Sequence, residues 1–393
     1  MLVVHLILWI LAVPALLACA YLLFLTLLSA KLPVPKCLSK ELRFDVIVPA
    51  HNEAAGIART VHSLRQLDWP ADRFRVLVIA DNCTDATADV ARTAGAEVLE
   101  RTDPKLRGKG YALQFGFVQS YSHGRAEAVV VIDADAEVSG NLLVAFAARI
   151  ASGAEAIQAH YGILNPMDSW RTRLITIAKG SFHILRSRAR ERLGVSAGIR
   201  GNGWCVTHKL LQRVPYRAFS LTEDLEFGIA LGLAEVRVHY ADEAHADGEM
   251  VSGAKTAGPQ RQRWERGRFD LIRSQSAALL VAALTRPSAL CLDLAFDLLV
   301  LPLSYVVLNI MALASVAGLA TWRHNSFGIW LWLAAACASG LALYVSRGWQ
   351  LSGIGARGIV DLARAPFFLA WKVILMLRPR RSGEWVRTQR EKP

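Results

Sequence analysis

The sequence predicts an α/β domain with a mostly parallel sheet, flanked by N- and C-terminal transmembrane helices. Three observations predict it. Hydrophobic residues make up 53% of the chain and concentrate at its two ends, which separates a water-soluble middle from membrane segments. Short apolar runs such as Val46-Ile47-Val48 and Val129-Val130-Val131-Ile132 alternate with helical stretches, a pattern typical of buried parallel strands joined by crossover helices. Polar and acidic residues follow several of those runs directly, where open α/β sheets place their ligands.

A chain of 393 residues can bury a sizeable core. Its 45 Lys and Arg outnumber 33 Asp and Glu, for a net charge of +12. Nucleic-acid binding is one reading of that excess. However, the dense basic runs at 261–268 and 378–381 adjoin apolar segments, which favours membrane lipids as the partner and no nucleic acid. The six cysteines (Cys19, Cys37, Cys83, Cys205, Cys291 and Cys337) show no paired metal spacing, and three lie in apolar segments. Neither a disulfide framework nor a zinc site is expected, and reduced thiols fit a cytosol-facing domain.

Residues 1–31 read as a membrane anchor. Positions 2–30 are nearly all apolar, interrupted by His5 and Pro14, and are long enough to span a bilayer with tilt. A signal peptide is the competing reading, but no Lys or Arg precedes the apolar run, which continues well past Cys19. Lys31, Lys36, Lys40 and Arg43 follow the span. The positive-inside rule then places the middle domain in the cytoplasm of a multi-pass inner- or plasma-membrane protein.

The middle domain is expected over residues 40–270. Strands are predicted at 43–49, 75–80 and 128–132, helices at 55–67, 84–94 and 111–121, with a loop between 94 and 111. Beyond it, 271–289 reads as an interfacial segment, amphipathic and bounded by Arg273 and Arg286. Residues 290–377 form the C-terminal membrane region. Within it, 290–322 reads as one long or kinked helix near Pro302, and 327–345 returns to the cytoplasm. The stretch 359–377 contains Asp361, Arg364, Pro366 and Lys372, so an interfacial or re-entrant course is expected. A basic cytoplasmic tail, 378–393, follows. Asp293 and Asp297 inside an apolar segment raise the idea of transport, but interfacial placement or pairing explains them more simply.

The candidate chemistry sits at the strand ends. Asp133 and Asp135, two apart on an extended chain, can face one site; a pair of carboxylates there suits Mg²⁺ or Mn²⁺ on a diphosphate, although a solvated acidic turn is the plainer alternative. Asp81 can accept hydrogen bonds from a nucleobase or ribose, while Thr84 or Asp85 caps the next helix. Glu53 is either an early-turn helix residue or a nucleotide ligand. Lys105, Arg107 and Lys109 form a basic, Gly-punctuated loop suited to a diphosphate or to solvent. Thr222-Glu223-Asp224 precedes an apolar helix; helix capping explains it locally, and a general base held rigidly at a domain edge is compatible with that. Gln260, Arg263 and Trp264 share one face if helical. There, Arg offers a fork for phosphate oxygens and Trp a flat surface for a sugar ring, and lipid contact by Arg261, Arg266 and Arg268 is the alternative use of the same helix.

Taken in order, Val48-Pro49-Ala50-His51-Asn52-Glu53, Asp81, Asp133-Ala134-Asp135, Gly201-Asn202-Gly203, Thr222-Glu223-Asp224 and Gln260-x-x-Arg263-Trp264 resemble the membrane-integrated family 2 glycosyltransferases, the group of cellulose, hyaluronan and chitin-oligosaccharide synthases. The resemblance covers roughly residues 43–270. It implies the GT-A fold, with Glu53 and Asp81 on the nucleoside and Pro49, Ala50, Lys109, Asp133 and Gln260 also on the donor side. It further implies Asp135 and Asp133 at the metal, Asp224 as base with Glu223 beside it, and Arg263 on the diphosphate. Gly201, Asn202, Gly203 and Trp264 fall on the acceptor side. The reaction implied is inverting transfer from a nucleotide sugar, by family default UDP-linked glucose or N-acetylglucosamine, to a glycan, giving a β-glycoside in exopolysaccharide or cell-surface polysaccharide synthesis. Single-sugar transfer to a membrane lipid is the alternative. The chain departs from the pattern at Asp81-Asn82, where many relatives have two acids. The three expected spans also leave a polymer channel to be made by an oligomer or secretion-complex partners.

Overall fold

The computed structural model describes residues 2–250, 254–324, 327–364 and 367, without the side chains of 254–263. The chain opens with helix α1 (Leu2–Leu27). An α/β stretch follows: β1 (Phe44–Ala50), α2 (Ile57–Arg65), β2 (Phe74–Asp81), α3 (Thr87–Thr93), β3 (Glu97–Arg101), α4 (Lys109–His123), β4 (Ala128–Val131), β5 (Ala136–Val138), α5 (Leu142–Ala151) and β6 (Ala156–Ile163). Next come α6 (Trp170–Lys179), a π-helical segment Gly180–Leu185 and α7 (Arg186–Leu193), then β7 (Trp204–Thr207), α8 (His208–Arg213), α9 (Glu223–Leu233) and β8 (Val238–Gly248). The remainder is helical: α10 (Ala254–Thr285), α11 (Ala289–Leu299), α12 (Leu303–Arg323), α13 (Gly328–Ser352) and α14 (Ala356–Leu362).

The chain divides into two units. The α/β unit holds an eight-stranded sheet in the order β3-β2-β1-β4-β7-β6-β8-β5. Strands β3, β2, β1 and β4 run parallel, with Val46 in register with Val76 and Val130. β7 is antiparallel to both β4 and β6, β8 is parallel to β6, and β5 is antiparallel to β8. The sheet is therefore mixed, and parallel in the half that the apolar runs predicted. Alternate residues of β1 enter opposite cores. Phe44, Val46 and Val48 pack with Leu64, Val78, Val130 and Phe146, whereas Ile47 packs with Ile79, Phe117, Val129, Trp204 and Phe227. Each such side chain contributes roughly 1.5–3 kcal/mol by burial.

β3 falls where a loop was expected. Its Glu97-Val98-Leu99-Glu100-Arg101 lies at the sheet edge, where one side faces solvent and charged residues are tolerated, so it lacks the apolar run that marks β1, β2 and β4. Most of 271–289, expected as a separate interfacial segment, belongs to the 32-residue α10, which runs to Thr285, with Leu280, Val281 and Leu284 exposed.

The helical unit contains α1, α12 and α13, each long and apolar enough to cross a membrane. The apolar run 290–322 is two helices rather than one. Pro302, with ψ near 141°, caps α12; it cannot donate a helical hydrogen bond and turns the residue before it out of the helix. The segment Arg173–Ala189, from the middle of the sequence, also belongs to this unit. A Cβ on Gly180 would come within 2.5 Å of the Gly348 carbonyl, so the π-helical segment and α13 touch backbone to backbone. Arg186 Nη1 lies 3.0 Å from Asp297 Oδ1, and Arg186 Nε donates to the Tyr344 hydroxyl at 2.8 Å. Arg173 Nε pairs with Asp361 Oδ2 at 2.5 Å. Asp297 and Asp361 are thus paired, the simpler of the expected outcomes for Asp297. In the α/β unit, Asp293 pairs with Arg190 at 3.0 Å. Residues 368–377 and the basic tail 378–393 lie outside the described residues.

Candidate active site

The carboxyl ends of β1 and β2 both turn through an asparagine in the left-handed region, Asn52 (φ 56°) and Asn82 (φ 50°), a conformation Asn tolerates better than most residues. The Asn52 side chain accepts from the Thr84 amide at 2.7 Å, and that of Asn82 from the Asp103 amide at 2.8 Å. These bonds stitch adjacent strand ends into one rim. Pro49 is half-buried and Ala50 buried at the end of β1. The Glu53 carbonyl accepts from the amides of Gly56 and Ile57, both at 3.0 Å, at the start of α2. Asp85 accepts from the Thr87 amide at 3.0 Å where α3 begins, although the N-cap position itself falls on Ala86 and not on Thr84 or Asp85 as expected.

Asp81 is buried and accepts from Arg101 Nη1 at 2.6 Å and from Asn82 Nδ2 at 3.0 Å. Arg101, at the end of β3, was not singled out by the sequence because its strand was not. Its guanidinium lies 6.0 Å from the Tyr111 ring centroid, and Tyr111 stacks on Phe219 at 4.4 Å. Asn82 steadies both Asp81 and the Asp103 turn.

Lys109 opens α4 after Gly108, whose φ of 121° requires glycine. Its ammonium lies 2.6 Å from Asp133 Oδ1 and 3.5 Å from Glu223 Oε1, and donates to the Gly201 carbonyl at 2.7 Å. Burial alone would lower the Lys109 pKa, but the charges of Asp133 and Glu223 outweigh it and hold the lysine above its ordinary value. Burial pushes the Glu223 carboxyl up to about 7 against the pull of Lys109, and it raises Asp224 as well. Both acids stand in the first turn of α9, where the helix dipole favours negative charge. Thr222 takes the N-cap position without a side-chain cap bond, so capping accounts for only part of the motif.

Gly201-Asn202-Gly203 lies behind the aspartates. Asn202 is fully buried, and its Oδ1 accepts from the Asp133 amide at 2.9 Å. That side chain therefore holds the Asp133 backbone in place. Gly201 and Gly203 have φ of 94° and 71°. A Cβ on Gly201 would sit 3.2 Å from Asp224 Oδ2 and 4.0 Å from Tyr161 Cε1.

Tyr161, near the end of β6, was not anticipated. Burial, and the charges of Asp133, Asp135 and Asp224, raise its phenol well above the ordinary value, and its ring edge approaches Gly201 as the Asp224 carboxylate does. Nothing in the local pattern of β6 marks it. The turn joining β4 to β5 carries both Asp133 and Asp135, with the Asp133 carbonyl accepting from the Ala136 amide at 3.2 Å. Among the described residues, no group of three or more His, Cys, Asp or Glu gathers as a metal cage.

α10 passes against the start of α9. A Cβ on Gly267 would lie 2.6 Å from Thr222 Cγ2. One turn earlier on α10, Trp264 is 38% exposed. Gln260 and Arg263 lie on the same helix, with side chains outside the described residues.

Known proteins match this arrangement. Residues 42–267 fit the model described as "Glycosyltransferase like family 2". Over 234 residues the chain is 29% identical to a β-monoglucosyldiacylglycerol synthase of Nostoc sp., covering 57% of this chain and 48% of that protein. Over 93 residues it is 38% identical to a 4,4'-diaponeurosporenoate glycosyltransferase of Staphylococcus aureus, 23% of each chain. The chain thus spans about half the length, or less, of these relatives. The solved mannosyltransferase of Pyrobaculum calidifontis, in complex with GDP-Man and Mn²⁺, superimposes with a TM-score of 0.54 at 17% identity, over 85% of this chain and 99% of that one. That likeness shows a shared fold, the GT-A arrangement. With the family model covering more than half of its length, the chain belongs to glycosyltransferase family 2.

Proposed function

We propose that the protein is an inverting glycosyltransferase that moves one sugar from a nucleotide-sugar donor to the hydroxyl of a membrane lipid. The observation that carries the reading is the Lys109-bridged cluster, in which Asp133, Glu223 and Gly201 meet one ammonium and Asp224 overlooks Gly201. The lipid acceptor, the alternative to polymer growth, gains support from relatives named as monoglucosyldiacylglycerol synthases and from the three apolar helices. The glucosyl group in those names supports a glucose donor, and UDP-glucose, one of the donors the family resemblance implies, is the first to try. On this reading the α/β unit faces the cytoplasm, where nucleotide sugars are made.

In the proposed reaction the acceptor oxygen attacks the anomeric carbon as the nucleoside diphosphate departs on the opposite side. Asp224 takes the acceptor proton. Its raised pKa makes it a better proton acceptor than an ordinary aspartate, and Lys109 keeps the crowded acids tolerable. Asn202 positions Asp133 through its backbone amide, and Asp81 with Arg101 offers an acceptor and donors to the nucleoside. The hard oxygens of Asp135 and Asp133 fit Mg²⁺ or Mn²⁺, which commonly takes one or two carboxylates and completes its shell with phosphate and water; such an ion would neutralise charge on the diphosphate. One displacement inverts the centre, so an α-linked donor yields a β-glycoside.

A donor panel on purified protein tests this. UDP-glucose, UDP-N-acetylglucosamine and GDP-mannose are each supplied with Mn²⁺ or Mg²⁺ and diacylglycerol, and products are read by mass. A single hexose on the lipid is the expected result. A size ladder would instead favour polymer growth, and failure to turn over or hydrolyse any nucleotide sugar would overturn the reading.

A further inference from the structure

We propose that Tyr161 holds the transferring sugar of the donor between the diphosphate side and the acceptor side of the site, and so sets the balance between transfer and hydrolysis. The inference rests on the glycosyltransferase reading and adds a residue to it. Three placements point there. The Tyr161 ring edge and the Asp224 carboxylate approach the same point above Gly201, at 4.0 and 3.2 Å from where a Cβ would stand. On the other side, a Cβ on Gly248 would come within 3.3 Å of the Tyr161 hydroxyl and 3.2 Å of Cε2. Glycine at both positions therefore leaves room for the ring. Finally, the Gly201 carbonyl is bonded to Lys109, which reaches Asp133. Tyr161 thus lies beside Asp224, which faces the incoming hydroxyl, above a glycine whose carbonyl is tied through Lys109 to Asp133 on the diphosphate side.

The sugar ring of the donor must pass through that space, because its anomeric carbon is bonded to the diphosphate and attacked from the Asp224 side. A phenol suits the position chemically. It donates to and accepts from a sugar hydroxyl without adding another negative charge beside a diphosphate. Its flat face also covers one side of the sugar ring and keeps water from the anomeric carbon. When water does attack, the donor gives free sugar and nucleoside diphosphate. When the lipid hydroxyl attacks, its proton goes to Asp224 and the sugar ends on the lipid.

The experiment compares wild type with Tyr161→Phe and Tyr161→Leu in detergent, with the best donor of the panel, Mn²⁺ and diacylglycerol, counting glycolipid and free sugar separately. Tyr161→Phe, which keeps the ring, is expected to lower kcat for transfer about tenfold, the worth of one hydrogen bond made in the transition state, with lipid KM nearly unchanged. Tyr161→Leu is expected also to raise the share of donor lost to hydrolysis severalfold. Melting curves matching wild type tie these changes to the site. Two active, folded variants with wild-type kcat and partition would overturn the assignment of Tyr161 and leave the glycosyltransferase reading standing. A wild type that turns over no nucleotide sugar would overturn both.

Discussion

Lys109 Nζ lies 2.6 Å from Asp133 Oδ1, joining the first residue of α4 to the end of β4. The same ammonium faces Glu223 and bonds the Gly201 carbonyl. Lys109→Met would leave Asp133, Glu223 and Asp224 without their shared cation. Transfer is expected to fall by about 10²-fold or more, the usual cost of removing one preorganised charge-stabilising donor. Steady-state kinetics check this, and a variant within threefold of wild type would remove Lys109 from the site.

The raised pKa of Glu223 predicts a dependence of stability on pH. Burial lifts this carboxyl from its ordinary 4.5 to about 7, so folding favours the protonated form. Its contribution is fully present below about pH 4.5 and is lost as pH rises through 7. Glu223→Gln, which stays neutral, should therefore match wild type near pH 5 and exceed it at pH 8 by about 1–3 kcal/mol. Thermal melts at the two pH values decide it. A variant less stable than wild type at pH 8 would mean that the Lys109–Glu223 attraction outweighs burial.

In the helical unit, Arg186 and Asp297 are both buried and 3.0 Å apart. Truncating one partner of a buried pair costs about 3–5 kcal/mol, whereas replacing both with apolar groups is often neutral. Arg186→Met and Asp297→Leu should each lower the melting temperature in detergent, and the double variant should lose clearly less than the two together. Additive losses would show that the two side chains act independently.

The strands with continuous apolar sequence were legible along the chain, since β1, β2 and β4 are buried on both faces and their pattern is local. β3 was not, because an edge strand carries Glu97, Glu100 and Arg101 and resembles a loop; with it went Arg101, the partner of Asp81. The break at Pro302 was half legible. Proline announces a disruption, and whether the helix kinks or stops depends on what packs around it.

By itself, the sequence determined the alternation of strands and helices, the apolar ends, and the residue types waiting at the strand ends. Each of these follows from spacing within a few residues. Tertiary structure alone decided that Lys109 meets Gly201 from 92 residues away, that Asn202 faces Asp133 from 69, and that the Tyr161 ring edge and Asp224 both approach Gly201. It also decided that Arg173–Ala189 joins the helical unit, through Asp297 and Tyr344, 111 and 158 residues from Arg186. The physical reason is range. Periodicity records which face of an element is buried, but the partner on the other side of that face is set by how the whole chain packs.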